Sequence, residues 1–328
     1  MGQGEREVIR MIAPLRSLKA RAISPNLHRL AYVSGASALR ARAQLGNRII
    51  MFHGIDGQQY PVEVFEAQLR YLRRHFSVVP LETLVRGLER PDAQSSGQVA
   101  LTFDDGFRSH YAIVHSLLRR LELPATFFVC PGLIERRQWL WSAEVSERVA
   151  SMSLPQRQAL VRTFPIAAAT AEALKAWMKT LPTRTRLDVE RTLRAMAPGF
   201  VPSEVQRTRL DTMTWEELAS LDTSLITIGS HTVNHPMLTQ LDVDDTRMEI
   251  VESRRRLEEK LGRAVEFFCY PAGAYSEPVA TCVRECYRAA VTTDPGFVRT
   301  GDDRHLLRRV PAIPELAFFA WLLHRPTA

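Results

Sequence analysis

The chain has 328 residues, of which 45% are hydrophobic and 24% are charged, and its formal net charge is +7 at pH 7. This composition excludes a disordered polar chain and provides for one large α/β core with additional segments. Four cysteines are too few for a disulfide-rich scaffold, and no apolar run approaches the roughly 20 residues of a membrane-spanning helix.

The positive charge is concentrated at the N-terminus. Residues 1–50 contain nine Lys and Arg against Glu5 and Glu7, whereas acids and bases balance in the remainder. We expect residues 1–47 to form a basic helical segment that either contacts an anionic membrane surface or packs on the protein. Arginines interrupt every apolar run before residue 48, so no secretory signal is recognisable. We therefore expect a cytoplasmic protein, at most peripheral to the inner face of the membrane.

Apolar runs and amphipathic stretches alternate through most of the remaining chain. The apolar runs end at His53, Phe103, Val129, Gly229 and Cys269. This alternation is typical of parallel β–α units, in which functional side chains follow the carboxyl ends of the strands. We predict an α/β barrel formed by residues 48–137 and 213–328.

Residues 138–212 interrupt the alternation. Their sequence is rich in Ala, Leu, Glu and Arg and is divided by prolines. This pattern predicts about three short helices. Because the segment follows a strand end, we expect a helical insertion on the face of the barrel that carries the site.

Two short motifs predict a metal site. Asp105 follows a buried strand over residues 98–103, and Gly106 allows the tight turn that leaves the carboxylate at the strand end. His231 and His235 are four residues apart, so on one helical turn their rings would converge on one ion. Two histidines and one carboxylate form a three-ligand site with open positions, which is typical of catalytic zinc.

Asp104 is expected to serve a different purpose. Adjacent residues at an extended strand end point in different directions, so this carboxylate stays free of the ion. It is a candidate general base that takes a proton from a metal-activated water. The sequence thus predicts a metal-assisted hydrolase.

These motifs resemble those of a known family. The Asp-Asp-Gly and His-x-x-x-His segments are similar to the first two motifs of the polysaccharide deacetylases, carbohydrate esterase family 4, which share the NodB-homology domain. Residues 124–129 and 267–273 resemble a conserved strand and the third motif, and residues 49–53 resemble the first strand of members with a rotated motif order. The resemblance implies an incomplete, distorted (β/α)7 barrel.

The resemblance also implies a chemistry. The substrates are N- or O-acetylated sugars, Asp104 is the general base, and the two histidines and Asp105 hold a divalent metal. Zinc suits these ligands best, with Co2+, Ni2+ or Fe2+ as alternatives. A backbone N–H of the third motif, that of Ala272, is expected to stabilise the oxyanion. Tyr270 and Pro271 of the same motif are expected to contact the substrate.

The sequence departs from the family pattern at the residue that orients the base. Cys269 occupies the place of the usual arginine in the third motif. Arg308 and Arg309 precede a late apolar segment and are candidates to supply the charge from another strand. We favour Arg309.

A second departure concerns the general acid. The late Leu-x-His motif is matched only by residues 322–324, close to the end of the sequence. His53, which follows the first strand, is the better candidate for the proton donor because an imidazole titrates near pH 7.

The sequence thus predicts a metal-dependent deacetylase of an N-acetylated polysaccharide or its lipid-linked precursor, with no nucleic-acid partner. Trp139 and Trp141 of the insertion are candidates to stack on a sugar ring, although such residues more often belong to a core. Two alternatives stay open: a deformylase or other amide hydrolase acting on a lipid-linked amino sugar, and a non-catalytic carbohydrate-binding relative. The oligomeric state is left open.

Overall fold

Parallel strands form the centre of the molecule. The structure is a computed structural model that describes residues 25–44, 46–88 and 97–326. Its strands are, in chain order, β1 (Arg48–Phe52), β2 (Ser77–Val78), β3 (Gln98–Phe103), β4 (Ala125–Val129), β5 (Ile226–Ser230), β6 (Phe267–Cys269), β7 (Ala289–Pro295) and β8 (Leu307–Pro311).

Seven of these strands close into a barrel. Strand β1 pairs with β8 on one side and with β3 on the other, and the remaining neighbours follow in the order β8, β7, β6, β5, β4, β3. The barrel is irregular, because β5 and β6 pair only at Ser230 and Phe268 and the register shifts between β7 and β8. The short β2 extends the sheet at the N-terminal end of β3. The predicted incomplete, distorted (β/α)7 barrel is therefore confirmed.

Helices surround the barrel in the described part of the chain. They are α1 (Pro25–Val33), α2 (Ala36–Ala43), α3 (Val62–His75), α4 (Leu81–Leu88), α5 (Ser116–Leu121), α6 (Pro131–Arg136), α7 (Trp141–Ser151), α8 (Leu154–Thr163), α9 (Ala171–Met178), α10 (Thr183–Met196), α11 (Glu204–Leu210), α12 (Trp215–Ala219), α13 (Val243–Leu261), α14 (Glu277–Cys286) and α15 (Leu316–Leu322). A π-helical segment, His110–His115, runs into α5, and 3-10 turns occupy Leu238–Gln240 and Pro271–Gly273.

Alternate residues of each strand face opposite sides of the sheet. Phe52, Phe103 and Phe127 belong to the large core between the strands and the outer helices. Ile49 and Phe128 belong to a separate buried cluster that includes apolar residues of α4. The inward positions nearer the carboxyl ends of the strands carry the polar side chains of the site.

Helices α7 to α11 form a helical unit within the predicted insertion. The unit has its own apolar core, which includes Trp141, Leu174 and Leu193. Five helices are present where about three were expected, because the prolines mark helix starts as well as breaks. The indole N–H of Trp139 donates to Asp211 Oδ1 at 2.7 Å, so the two ends of the unit meet.

The helices α1 and α2 lie against α15. Leu30, Val33 and Leu39 of this N-terminal pair are exposed. Residues 1–24, which hold most of the basic residues predicted to contact a membrane, lie outside the described residues, and that contact stays a prediction. Among the described residues, no helix combines the length and apolarity needed to cross a bilayer.

Candidate active site

The two aspartates lie at the carboxyl end of β3 and are both buried. Asp105 has a left-handed backbone, with φ of 76°, and Gly106 follows with φ of 67°. A Cβ on Gly106 would lie 3.0 Å from the side chain of Val129, so glycine fits this turn best. The turn separates the two carboxylates, since Asp105 faces the histidines and Asp104 faces Arg309.

His231 and His235 lie in a loop after β5. The expectation of a helical turn between them was wrong, because Thr232 and His235 have positive φ values of 66° and 56°. The loop is fixed by local hydrogen bonds: the His235 N–H donates to Thr232 Oγ1 at 3.0 Å, and Asn234 donates to Glu249 through its backbone and its side chain. The two rings nevertheless converge, with centroids 4.7 Å apart.

Asp105 and the two histidines have the spacing of metal ligands. Asp105 Oδ1 lies 3.5 Å from His231 Nε2 and 3.4 Å from His235 Nε2. Ligand bonds of about 2.0–2.2 Å at tetrahedral angles place neighbouring ligand atoms about 3.4 Å apart. Both distances match this value, and all three ligand atoms lie within 4.8 Å of one another, so the groups can share one ion of the size of zinc.

The orientation of the His231 ring is fixed by a hydrogen bond on the side away from Asp105. Its Nδ1 lies 2.7 Å from the backbone carbonyl of Cys269 and donates to it, so Nε2 carries the lone pair that faces Asp105. Metal-binding histidines are commonly held in this way by a carbonyl on the far side of the ring. This contact ties the histidine loop to β6.

A second group of possible ligands is formed by Asp104, His231 and the thiol of Cys269. It is a poorer metal site, because both carboxylate oxygens of Asp104 are already bound to Arg309. Burial also raises the pKa of the Cys269 thiol, so the thiol stays protonated at neutral pH. The sulfur lies 3.6 Å from Asp104 Oδ2 and acts as a weak donor.

Arg309 and Asp104 form a bidentate ion pair inside the barrel. Nη1 and Nη2 of the guanidinium donate to the two carboxylate oxygens at 2.8 and 2.7 Å. Nη1 also donates to Thr102 Oγ1, and Nε donates to the carbonyl of Thr292. Burial alone would raise the pKa of Asp104, but the charge and hydrogen bonds of Arg309 outweigh it and hold that pKa below its ordinary value. Asp104 is thus an ionised carboxylate in a fixed orientation.

The two candidates for the arginine are therefore distinguished by geometry. Arg308 is exposed on the outer side of β8, whereas Arg309 is fully buried and reaches Asp104.

The two candidate histidines for the proton donor lie at opposite ends of the barrel. His53 is exposed directly after β1, on the side of Asp104 and Asp105. Its backbone carbonyl accepts a hydrogen bond from Nε2 of His110. His324 is buried at the other end, next to the carbonyl of Leu323 that accepts from Arg48.

Ala272 lies at the centre of the 3-10 turn after β6. It is exposed and has a left-handed backbone, with φ of 53°. A Cβ on the neighbouring Gly273 would lie only 2.0 Å from Thr293 Oγ1, so this turn requires glycine. Four of the six described non-glycine residues with positive φ belong to the site, where such strain commonly marks function.

Three of the proposed substrate contacts are buried. Tyr270 is fully buried beside Phe268 and Tyr275, and Pro271 is buried in the turn. Trp141 is 9% exposed and belongs to the core of the helical insertion. Because these three rings are covered by neighbouring side chains, none of them can stack on a sugar in this conformation. Trp139 is partly exposed, although its indole N–H is bound to Asp211.

A sequence model of the polysaccharide deacetylase family matches residues 92–290, which is more than half of the chain. The chain belongs to the polysaccharide deacetylase family. It is also 26% identical over 275 residues to YxkH of Bacillus subtilis (strain 168), a protein that carries the name of a polysaccharide deacetylase. That match covers 82% of this chain and 72% of YxkH.

Two solved structures share the fold of this polysaccharide deacetylase family member. The Streptococcus pyogenes deacetylase PplD in complex with acetate is 18% identical, with a TM-score of 0.58, over 87% of this chain and 99% of PplD. IcaB from Ammonifex degensii is 17% identical, with a TM-score of 0.58, over 85% of this chain and 98% of IcaB. At these identities the likeness supports the barrel fold.

Two residues that support the site of this polysaccharide deacetylase family member were not identified from the sequence. His110 donates to the carbonyl of His53, and burial lowers the pKa of His110 to about 4, so the ring is neutral at pH 7. Glu249 holds Asn234 between the two histidines. His110 lies five residues after Asp105, and this closeness in sequence could have indicated a role in the site. Glu249 lies in the middle of α13, where no feature of the sequence indicates such a role.

Proposed function

We propose that the protein is a metal-dependent deacetylase that removes acetyl groups from N-acetylated sugars of a polysaccharide or its lipid-linked precursor. Family membership supports deacetylation of a polysaccharide. The observation that carries the metal dependence is the spacing of 3.4 and 3.5 Å between Asp105 Oδ1 and the two histidine Nε2 atoms.

In this proposal, one group of residues binds the metal and another residue transfers the proton. Asp105, His231 and His235 would hold the divalent ion, which we propose to be Zn2+. A divalent ion held there would lower the pKa of a coordinated water toward about 7 and polarise the acetyl carbonyl. Asp104, which is ionised and oriented by Arg309, would accept a proton from the attacking water.

Two further groups complete the proposal. The backbone N–H of Ala272, an exposed residue, would donate to the oxyanion, and the conformation of its turn requires the neighbouring Gly273. His53 delivers a proton to the leaving amine from the exposed end of β1. The buried positions of Tyr270, Pro271 and Trp141 leave Trp139 as the aromatic candidate for contact with a sugar ring.

The test is acetate release from N-acetylated oligosaccharides, combined with metal content measured by mass spectrometry. We expect the purified wild-type protein to contain about one divalent ion per chain. Asp104→Asn should retain the ion and lose at least about 10²-fold in kcat/KM, because the base is lost while the ligands stay. His231→Ala should lose the ion itself.

His115→Ala provides a matched control, because this histidine lies on the outer side of the barrel and donates to none of the site residues. It should retain both the ion and the turnover. A wild-type protein that binds no divalent metal, or an Asp104→Asn variant with unchanged turnover, would contradict the proposal.

A further inference from the structure

A buried arginine of the insertion lies near the histidine loop, and its Nε has no hydrogen-bond partner among the described residues. Arg186 on α10 is 5% exposed, and its guanidinium lies over the ring of Trp141 at 5.0 Å. Its nearest acid is Glu190, with 3.4 Å between Nε and Oε1, but neither atom has a hydrogen-bond partner among the described residues. A buried N–H without a hydrogen bond is costly, which favours a ligand that accepts from this guanidinium.

Arg186 is the end of a row of alternating charges in the insertion. The row runs through ion pairs of neighbouring side chains in the order Arg148, Glu144, Arg194, Glu190 and Arg186. Three cations face two carboxylates, so the row has one positive charge in excess. The inner members are paired on both sides, whereas Arg186 is paired on one side only.

The end of this row lies beside the histidine loop. The turn between α9 and α10 contacts the 3-10 turn after His235, because Gln240 Nε2 donates to the carbonyl of Lys179. Arg186 itself lies within electrostatic reach of His235. Glu249 also lies within electrostatic reach of Arg186, but both of its oxygens accept hydrogen bonds from Asn234.

We propose that Arg186 binds an anionic group, a carboxylate or a phosphate, on the part of the substrate next to the acetylated sugar. The inference rests on the proposed function and makes the insertion a specificity element. An arginine donates to two oxygens of such a group at once, and an anion also offsets the repulsion between the guanidinium and a cation held by the histidines. The ring of Trp141 packs against the guanidinium, which explains why this tryptophan is buried and not exposed to a sugar.

The experiment measures binding and turnover with three matched oligosaccharides. One is a neutral chain of N-acetylglucosamine, one alternates N-acetylglucosamine with glucuronic acid, and one is the neutral chain with a phosphate at its reducing end. Dissociation constants come from titration calorimetry and kcat/KM from acetate release. The second and third probes distinguish a carboxylate of the polymer from a phosphate of a lipid-linked precursor.

We expect the wild-type protein to bind at least one anionic probe about tenfold or more tightly than the neutral chain. Arg186→Gln should remove that preference and leave the affinity for the neutral chain nearly unchanged, and Arg186→Lys should retain part of it. Arg184→Gln is the matched control, because Arg184 is an exposed arginine of the same helix. It should behave as the wild type does.

Equal affinity of the wild-type protein for all three probes would overturn the inference, and this comparison needs no variant to fold. An equal loss by Arg186→Gln on every probe would also overturn it, since that result indicates a structural role. An intact binding preference without acetate release from any probe would support the role of Arg186 and contradict deacetylation, so the two proposals fail separately.

Discussion

Asp104 is a carboxylate buried in the barrel whose charge is balanced by a residue from the last strand. The same arginine donates to Thr102, to the carbonyl of Thr292 and to the thiol of Cys269. Four strands therefore determine the orientation of one base. The small thiol at position 269 leaves room for the guanidinium to approach from β8, which explains how the site keeps an arginine although the third motif lacks one.

Removal of this arginine is expected to shift the pH dependence of the reaction. In Arg309→Gln, burial is no longer opposed by the charge and hydrogen bonds of Arg309, so the pKa of Asp104 rises. Asp104 then becomes protonated at a higher pH, and the acid limb of kcat/KM against pH moves upward, with a loss of about 10²-fold at neutral pH.

Arg308→Gln is the control for this prediction, because it removes the same charge from the exposed face of the same strand. Its profile should match that of the wild type. An acid limb that stays in place in Arg309→Gln would indicate that Asp104 is not the group that titrates.

The sequence predicted which residues come together in this site, but it did not predict the backbone conformation of the loop that holds the histidines. Asp104, Asp105, His231 and His235 were recognised because their spacing follows two apolar strands. The helical turn between the histidines was not correct, because the left-handed residues of that loop have no signature as clear as glycine. The choice between Arg308 and Arg309 depended on which of them faces inward, and that requires the register of β8.

At the level of elements, the insertion is a unit with a core of its own. Leu174, Leu193 and Trp141 are buried against one another and not against the barrel strands. Its ends meet at the contact between Trp139 and Asp211, and an isolated pairing of Phe107 with Thr212 joins the following residues to the Asp-Asp-Gly turn. The prolines predicted that the helices would be short, but not how many there are, because some of the prolines stand at helix starts.

Replacement of residues 141–209 by a short Gly-Ser linker is expected to leave a folded barrel. The apolar core of the insertion is removed as a whole, so few barrel residues lose a partner. Metal content should stay near one ion per chain, while kcat/KM on oligosaccharides falls and its dependence on the sugar changes. Circular dichroism and mass spectrometry check the first expectation, and acetate release checks the second. A variant that fails to fold would show that the unit is part of the core.

At the level of the whole molecule, Arg48 joins α2 and the C-terminal end of α15 to the barrel. It is fully buried and donates to the carbonyls of Gly46, Ala41 and Leu323. Burial lowers its pKa to about 10, so it stays charged at neutral pH. The sequence showed an excess of basic residues in residues 1–50, but no pattern indicated that Arg48 is buried. A buried cation whose partners are backbone carbonyls leaves no pattern of paired charges in a sequence.

Arg48→Met is expected to lower the free energy of unfolding by about 3 kcal/mol or more, because three carbonyls lose a charged donor. Denaturant unfolding followed by circular dichroism measures this change. Arg40→Met is the matched control from α2, since Arg40 is exposed, and it should change stability by less than about 0.5 kcal/mol. Equal stabilities of the two variants would exclude a structural role for the carbonyl contacts of Arg48.

The position of Arg309 on β8, late in the chain, determines when the site can form during biosynthesis. This arginine is translated 205 residues after Asp104. An unfinished polypeptide on the ribosome has neither the cation that orients the base nor the strand that joins β7 to β1. The proposed hydrolysis would therefore begin only after β8 has been translated and has joined the barrel, and a nascent chain that ends before Arg309 would be inactive.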